Sequence, residues 1–307
     1  MRIVGAGMSG FLGTRLSTAL TGRGDEVVHL VRRAPTAPHE VRWDPDAGDL
    51  PAGVLDGADA VVNLCGVGVG DHRWTDDYKK QILTSRVRPT TLLAAAAAGA
   101  GLPTLINASG SGYYGNRGDE IMTEESGQGT TFLAEVCGEW EGATAPAVDA
   151  GTRVVLLRTA PVVGQGGDLL TKLSLLTKLM LGGKLGDGRQ YLPWISLTDQ
   201  IAAILFLLDA DGSTRGGASG ADATRVAGAV NMAAPHPVTN AEFTRTLGSV
   251  LNRPTPWVVP GFALHLILGQ FAEEILGGQR AVPEVLTRAG YAFAHPTLAA
   301  ALRAETS

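Results

Sequence analysis

The chain has 307 residues, 45% of them apolar and 18% charged, with a formal net charge of −5 and a pI near 5.7. That is enough apolar chain for one large domain or a two-lobed one, and the acidic balance excludes general nucleic-acid affinity. Two cysteines, Cys65 and Cys137, exclude a disulfide framework and suit a reducing compartment.

Met1 runs almost at once into a glycine-rich segment, so no secretory signal is read and a cytoplasmic protein is expected. "RIVGAG" reads as a strand and residues 11–22 as a helix ending near Gly22. Residues 25–33 and 58–66 read as further strands. "YKKQILTSRVRPTTLLAAAAAG" reads as a long helix that Pro89 bends or breaks. Residues 103–110 are another strand. "TFLAEVCGEWEGATAPA" predicts helix to about Pro146, and 152–164 predicts one more strand. Strands separated by helices of this length imply a doubly wound parallel sheet, an α/β fold of the Rossmann-like kind.

After residue 164 the rhythm changes. A helix leads into a glycine-rich loop, and "IAAILFLL" at 201–208 is too short to span a bilayer, so no membrane partner is expected. Residues 211–228 read as a mobile surface connection. From residue 238 onward amphipathic helices predict a smaller, mostly helical C-terminal substrate lobe over the mouth of the sheet. The expected division is 1–163 as dinucleotide-binding domain, with about 195–235 returning to it. Residues 164–194 and 236–307 form the second lobe.

Gly7-x-x-Gly10-x-x-Gly13 sits between the first strand and the first helix, where free peptide N–H groups and the helix dipole attract a pyrophosphate. Ser9 adds a hydroxyl donor. The alternative is a glycine turn that only packs helix on strand. After the second strand come Arg32 and Arg33, with no acid before Glu40, which favours NADP(H) over NAD(H). The alternative there is a solvated surface pair. The six histidines are scattered without close pairs, so no metal site is expected.

With "GMSGFLG", "VVNLCG", "RWTDDYKKQILTSRVRPTTLL", "SGSGYYG", "FLAEVCGEWE", "RTAPVVGQGGDLLTKL", "LGGKLGDGRQYLPWI" and "GQRAVPEVLTRAGYAFAHPTLAAAL", the chain resembles the atypical short-chain dehydrogenases/reductases called epimerase family proteins. They are extended, epimerase-like relatives, sometimes labelled SulA-like, with a small C-terminal domain. The resemblance covers almost the whole chain. It implies NADP(H) held by Gly7, Met8, Ser9, Gly10, Phe11, Leu12 and Gly13 at the pyrophosphate, and by Arg32 and Arg33 at the 2′-phosphate. It further implies Leu64, Cys65 and Gly66 beneath adenine and ribose, Gln81 and Arg86 on the long helix, and Ser109 near the nicotinamide. It allows a homodimer paired through helices.

The wider family uses a Tyr-x-x-x-Lys pair on a helix as its proton relay. Anchored on Glu141, those slots here hold Leu133 and Cys137, and a shift by one gives Phe132 and Val136. None can do that work, which weighs against ordinary alcohol dehydrogenation and strict 4-epimerisation of sugar nucleotides. "NASGSGYYG" offers substitutes: Ser111 to bind a substrate oxygen and Tyr113 or Tyr114 to deliver a proton. The alternative places both tyrosines in the core. Cys65 and Cys137 read as buried and inert, the sequence neighbours of Cys137 (Val136, Gly138 and Glu139) offering no positive charge to stabilise a thiolate. On the substrate side, Arg73 and Trp74 form one candidate rim. Lys184 and Arg189 could hold an anionic group, with Trp194 as an apolar wall. Relatives commonly carry a histidine and two acids just after that tryptophan, where this chain has Ser196, Thr198 and Asp199. Two functions fit: an NADP(H)-dependent oxidoreductase or epimerase-like enzyme on a small molecule, or a cofactor-binding sensor without turnover.

Overall fold

Five short, mostly β-branched runs and two flanking segments pair into one parallel sheet. Its strands are β1 (Arg2–Ala6), β2 (Glu26–Val31), β3 (Glu40–Arg42), β4 (Ala60–Asn63), β5 (Thr104–Gly110), β6 (Arg153–Thr159) and β7 (Gly228–Met232). A computed structural model describes residues 1–210 and 225–306 of the chain. The sheet order is β7-β6-β5-β4-β1-β2-β3, with Ile3 opposite Ala60 and Ile106 opposite Val155. The expected 211–228 connection lies mostly outside the described residues.

Helices cover both faces, so the central strands have no polar side: every residue of β4 is buried. On one face α1 (Phe11–Gly22) and α6 (Leu197–Asp209) bring Leu16, Leu20, Ile204 and Leu207 onto Ile3, Val62 and Val155. On the other, α2 (Asp76–Ala100) and α4 (Ala145–Asp149) bring Leu93, Ala97 and Ala147 onto Val4, Val61 and Leu105. Each fully buried aliphatic side chain contributes roughly 1.5–3 kcal/mol.

Several boundaries differ from the sequence expectation. β2 stops at Val31, leaving Arg32 and Arg33 in the following loop. Helix α2 runs through Pro89 as one segment of 25 residues, capped by Thr75 at its start and by left-handed Gly101 at its end. The ring removes one helical hydrogen bond, at a cost of about 3 kcal/mol. The next residue offsets it: Thr90 Oγ1 donates to the Arg86 carbonyl and receives Asn63 Nδ2 and Trp140 Nε1, each at 2.9 Å. The expected helix to Pro146 is two, α3 (Phe132–Gly142) and α4, because Pro146 starts a new first turn. The expected strand 152–164 is interrupted at Ala160–Pro161, after which Val162–Val163 pairs with Ile195–Ser196.

Beyond residue 164, outside the sheet and α6, come α5 (Asp168–Lys178), α7 (Asn240–Val250), α8 (Gly261–Leu268), α9 (Phe271–Gly277) and α11 (Leu298–Glu305), whereas α10 (Glu284–Arg288) packs Leu286 into the sheet's own core. Trp194, Phe243, Leu247, Leu298 and Leu302 form a separate apolar cluster there. The C-terminal segment is tied to α6 by a buried carboxylate. Asp199 accepts from Ala294 N at 2.7 Å, His295 N at 2.9 Å, Tyr291 Oη at 3.2 Å and Ser196 Oγ at 2.8 Å. His295 Nδ1 lies 3.1 Å from Ser196 Oγ, so an imidazole reaches the serine that stands in the relatives' histidine slot.

Asp199→Ala would leave four donors without an acceptor, and the expected loss is about 3 kcal/mol in urea unfolding. A variant within 0.5 kcal/mol of the parent (roughly the noise of surface substitutions) would contradict this account of the tether.

Candidate functional site

The order of the sheet reverses between β1 and β4, and an open α/β sheet binds ligands beyond the carboxyl ends of its strands at such a point. Two glycines there cannot be replaced without collision. Gly7 has φ +78°, and a Cβ on it would lie 2.7 Å from the Leu64 carbonyl carbon. A Cβ on Gly13 would lie 2.3 Å from the Gly7 carbonyl oxygen. The backbone can therefore fold tightly against β4 and open the first turn of α1 to a ligand. Helices α2, α3, α6 and α7 are each capped by a Thr or Ser side chain at their starts. Helix α1 has Gly10 at that position, no side-chain cap and no acid in its first turn. Its free N–H groups and positive dipole end form an anion site. Ser9 and Gly10 are exposed, Met8 is buried, Leu12 is half-buried, and Phe11 packs against Gly167.

The two arginines after β2 have different environments. Arg33 is committed to Glu40 through Nη1 at 2.8 Å and Nη2 at 2.5 Å, and Thr36 N donates to the same carboxylate at 2.6 Å. The Arg33 bonds hold the Glu40 carboxyl down to about 2. Arg33 is thus a brace of its own loop, a correction to its assignment beside Arg32. Arg32 is exposed and has no acid partner among the described residues. Its charge is felt at Cys65, whose thiol burial nevertheless pushes up to about 12.

Leu64, Cys65 and Gly66 continue past β4, with Leu64 N donating to Ala6 O and Cys65 N to Asn63 Oδ1. Arg86 reaches under them from α2. Its Nη1 donates to Ile82 O and its Nη2 to Val67 O, both at 2.9 Å, and its guanidinium stacks 5.1 Å from the Trp140 ring. A Cβ on Gly66 would stand 3.1 Å from the guanidinium carbon. Burial lowers the Arg86 pKa, and no carboxylate pairs with it among the described residues. Gln81 lies exposed on the same helix.

Beyond β5 the hydroxyls are mostly engaged. Ser109 Oγ donates to Glu141 Oε1 at 2.6 Å. Glu141 holds Arg158 through two bonds of 2.9 Å, and Arg158 Nη1 donates to Tyr114 Oη at 3.1 Å. Tyr114 is fully buried, its hydroxyl donates to Asn231 Oδ1 at 2.6 Å, and burial pushes that hydroxyl up to about 12. The expected proton donor Tyr114 is therefore a core residue. Ser111 Oγ donates to Gln279 Oε1 at 2.9 Å, a partner 168 residues away. Tyr113 is half-buried with the Arg158 guanidinium 3.4 Å above its ring, and its hydroxyl has no protein partner among the described residues. Leu133 packs against Gly112, and Cys137 Sγ lies 3.6 Å from the Gly110 carbonyl. Burial pushes the Cys137 thiol up to about 11.

On the opposite wall, Trp74 is buried among Tyr78, Phe132 and Phe271, and Arg73 Nη1 donates to Leu266 O at 3.4 Å. Trp194 is fully buried and donates to His236 O at 3.1 Å, so the expected cleft wall is instead lobe core. Lys184 Nζ donates to Asp187 O at 3.0 Å, and Arg189 is exposed. The loop they share meets Gly278 through Gln190 and Tyr191, next to Gln279. Glu141, Arg158, Asn231 and Gln279 were not foreseen as site residues. The one signal in the sequence was an arginine inside the apolar run "RVVLLRT", which requires a buried partner. Among the described residues no group of three or more His, Cys, Asp or Glu could hold a metal ion, and no helix is long and apolar enough to cross a membrane.

A sequence model of the NAD dependent epimerase/dehydratase family matches residues 3–218, and a domain of unknown function, DUF1731, matches residues 259–305. Epimerase family protein ML0860 of Mycobacterium leprae is 44% identical over 303 residues, 98% of this chain and 94% of that one. The crystal structure of human epimerase family protein SDR39U1 (isoform 2) with NADPH superposes with a TM-score of 0.87 at 32% identity, covering 99% of each chain. The nucleoside-diphosphate sugar epimerase of Corynebacterium glutamicum superposes with a TM-score of 0.79 at 36% identity. That match covers 99% of this chain and 58% of that one.

Tyr114→Phe would strand both the Arg158 N–H and Asn231 Oδ1. The expected cost is about 1–3 kcal/mol of stability by chemical denaturation; an unchanged midpoint would remove Tyr114 from the buried network.

Proposed function

Because the chain belongs to the NAD dependent epimerase/dehydratase family, we propose that it is an NADP(H)-binding oxidoreductase or epimerase-like enzyme acting on a small molecule without the usual Tyr-x-x-x-Lys pair. The uncapped start of α1 over Gly7 and Gly13 carries this reading. Its bare N–H groups take the pyrophosphate, and Arg32 takes the 2′-phosphate. Arg86 offers a cation without a protein counter-charge to an anionic group in the crevice. The cofactor, when bound, supplies or accepts a hydride.

The chain's own residues position the substrate and handle the proton. Gln279 is held by Ser111 through Oε1, which turns its amide N–H groups to a substrate oxygen. Tyr113 keeps a free hydroxyl on a ring fixed by Arg158, and it serves as the proton donor or acceptor. The second reading, a cofactor-binding sensor, is favoured by Leu133 and by the buried Cys137, which fill the relay slots with groups unable to shuttle protons.

Fluorescence titration with NADPH and NADH tests the cofactor assignment. Arg32→Ala is expected to weaken NADPH about 10- to 100-fold and leave NADH unchanged. Arg33→Ala has a smaller effect, and Gly13→Ala loses both cofactors. A parent protein that binds NADH more tightly than NADPH would refute it. Turnover is tested by NADPH oxidation against aldehydes, ketones, quinones and enones. Any substrate found should lose roughly 100-fold or more in kcat with Tyr113→Phe at unchanged NADPH affinity. Tight binding with no turnover across the panel selects the sensor.

A further inference from the structure

Two arginines and one acid meet after β2, and they are paired unequally. Arg32 and Arg33 follow the strand, and Glu40, the first acid after it, opens β3 opposite His29. The Glu40 carboxylate is fully engaged. Its Oε2 accepts from Arg33 Nη1 at 2.8 Å, Thr36 N at 2.6 Å and Thr36 Oγ1 at 3.1 Å, and its Oε1 accepts from Arg33 Nη2. The Glu40 side chain is 9% exposed, against 55% for Arg33. Arg32, one residue earlier, is exposed and has no acid partner among the described residues.

The shape of the loop has other supports. Pro35 and Pro38 fix φ at two of its positions. Its return to the sheet is held by backbone bonds, His29 N to the His39 carbonyl at 2.8 Å and Glu40 N to the Ala37 carbonyl at 3.0 Å. Ion pairs at a surface contribute little to stability. What the Arg33–Glu40 pair changes is the charge presented beside Arg32. An acid after this strand binds the free ribose hydroxyl of a plain dinucleotide, whereas an arginine accommodates a 2′-phosphate. A carboxylate released from Arg33 would either bond Arg32 or face the phosphate directly, and both outcomes disfavour the phosphorylated cofactor.

We propose that Arg33 is a specificity-determining residue that acts through Glu40: it holds the carboxylate away from Arg32, so that Arg32 stays available to a 2′-phosphate. The inference rests on the NADP(H) reading above and deepens it. Arg33 is here a positioning residue that touches no cofactor. Adjacent arginines thus have separate tasks, one reading the phosphate and the other masking the acid that would favour the plain dinucleotide. Discrimination of this kind depends on removing a wrong charge as much as on supplying a right one.

The test is fluorescence titration of the full chain with NADPH and with NADH, read as the ratio of the two dissociation constants. Arg33→Ala is expected to weaken NADPH about 3-fold and tighten NADH about 3-fold, a roughly 10-fold fall in preference. Adding Glu40→Gln to that variant should return the ratio to within about 2-fold of the parent, although it restores none of the lost bonds. Glu40→Gln alone should raise the preference for NADPH. Arg33→Lys, which keeps the charge without the paired bonds, should hold most of it. Circular dichroism should match the parent in every variant. If Arg33 only shaped the loop, Arg33→Ala and Glu40→Gln would weaken both cofactors alike and the double variant would not recover. That result overturns the proposal, as does a preference for NADPH that Arg33→Ala leaves unmoved. A parent that prefers NADH overturns the cofactor reading itself, and the proposal with it.

Discussion

The position of the crevice depends on one buried ion pair. Arg158 lies buried near the carboxyl end of β6, one strand in from the edge of the sheet, where an unpaired guanidinium would cost far more than a strand gains by pairing. Glu141 supplies two charge-assisted bonds from α3. Burial alone would lower the Arg158 pKa, but the bonds to Glu141 outweigh it and hold the group raised. The same carboxylate takes the Ser109 hydroxyl, and the same guanidinium takes Tyr114 and stacks on Tyr113. One pair thus sets the distance of α3 from β5 and β6, the turn after β5 and the plane of the nearest tyrosine. Through Asn231 the constraint reaches β7, and Asn231 N and Val285 N share Glu124 Oε1. Glu124 Oε2 has no hydrogen-bond partner among the described residues, and burial raises that carboxyl.

A second polar knot works in the same way on α2. Asn63, Thr90, Asn107 and Trp140 bond to one another without exposure. They hold a proline-containing helix across β4 and β5, and they bring Arg86 beneath Gly66. Buried networks of this kind specify geometry because a partial network is worse than none. What the two knots leave without a side-chain hydrogen-bond partner among the described residues are the start of α1 and the Tyr113 hydroxyl, while Arg86 is left without a carboxylate.

The five inner strands of the sheet were legible because they are short apolar runs and because a glycine-spaced turn between strand and helix allows few backbone paths; the edge strands β3 and β7 were not, being short and tied into the sheet by their neighbours. Element ends were less legible. The end of β2, the split at Pro161 and the survival of α2 past Pro89 each depend on contacts with distant residues. The site divides in the same manner. The cradle is local, and its glycines could be read from spacing. Arg33 could not be separated from Arg32 without knowing that Glu40 folds back on it. Tyr113 and Tyr114 are neighbours on one short turn, so no periodicity distinguishes the half-buried ring from the one bonded to Asn231. Trp194 sits in a glycine-rich stretch that reads as a surface loop, yet its indole fills the core of the second lobe. Gln279 reaches Ser111 across 168 residues, a separation at which spacing carries no information.

The loss of the Tyr-x-x-x-Lys pair changes the electrostatics of the crevice as well as its proton supply. A lysine on α3 would place a charge beside the nicotinamide ribose; Cys137 and Leu133 make that wall apolar. The cation instead comes from α2 as Arg86, stacked on Trp140 and bonded to carbonyls. Those partners hold the guanidinium in place without neutralising it. In a half-dry cleft an uncompensated cation attracts an anion more strongly than it would in water. A phosphate or carboxylate entering the crevice would complete the pair that the chain leaves open. The arrangement thus places a fixed guanidinium on α2 where the usual pair would place an ammonium on α3. On the proposed reading, binding and proton transfer, joined on one helix in the usual pair, would fall to two separate elements.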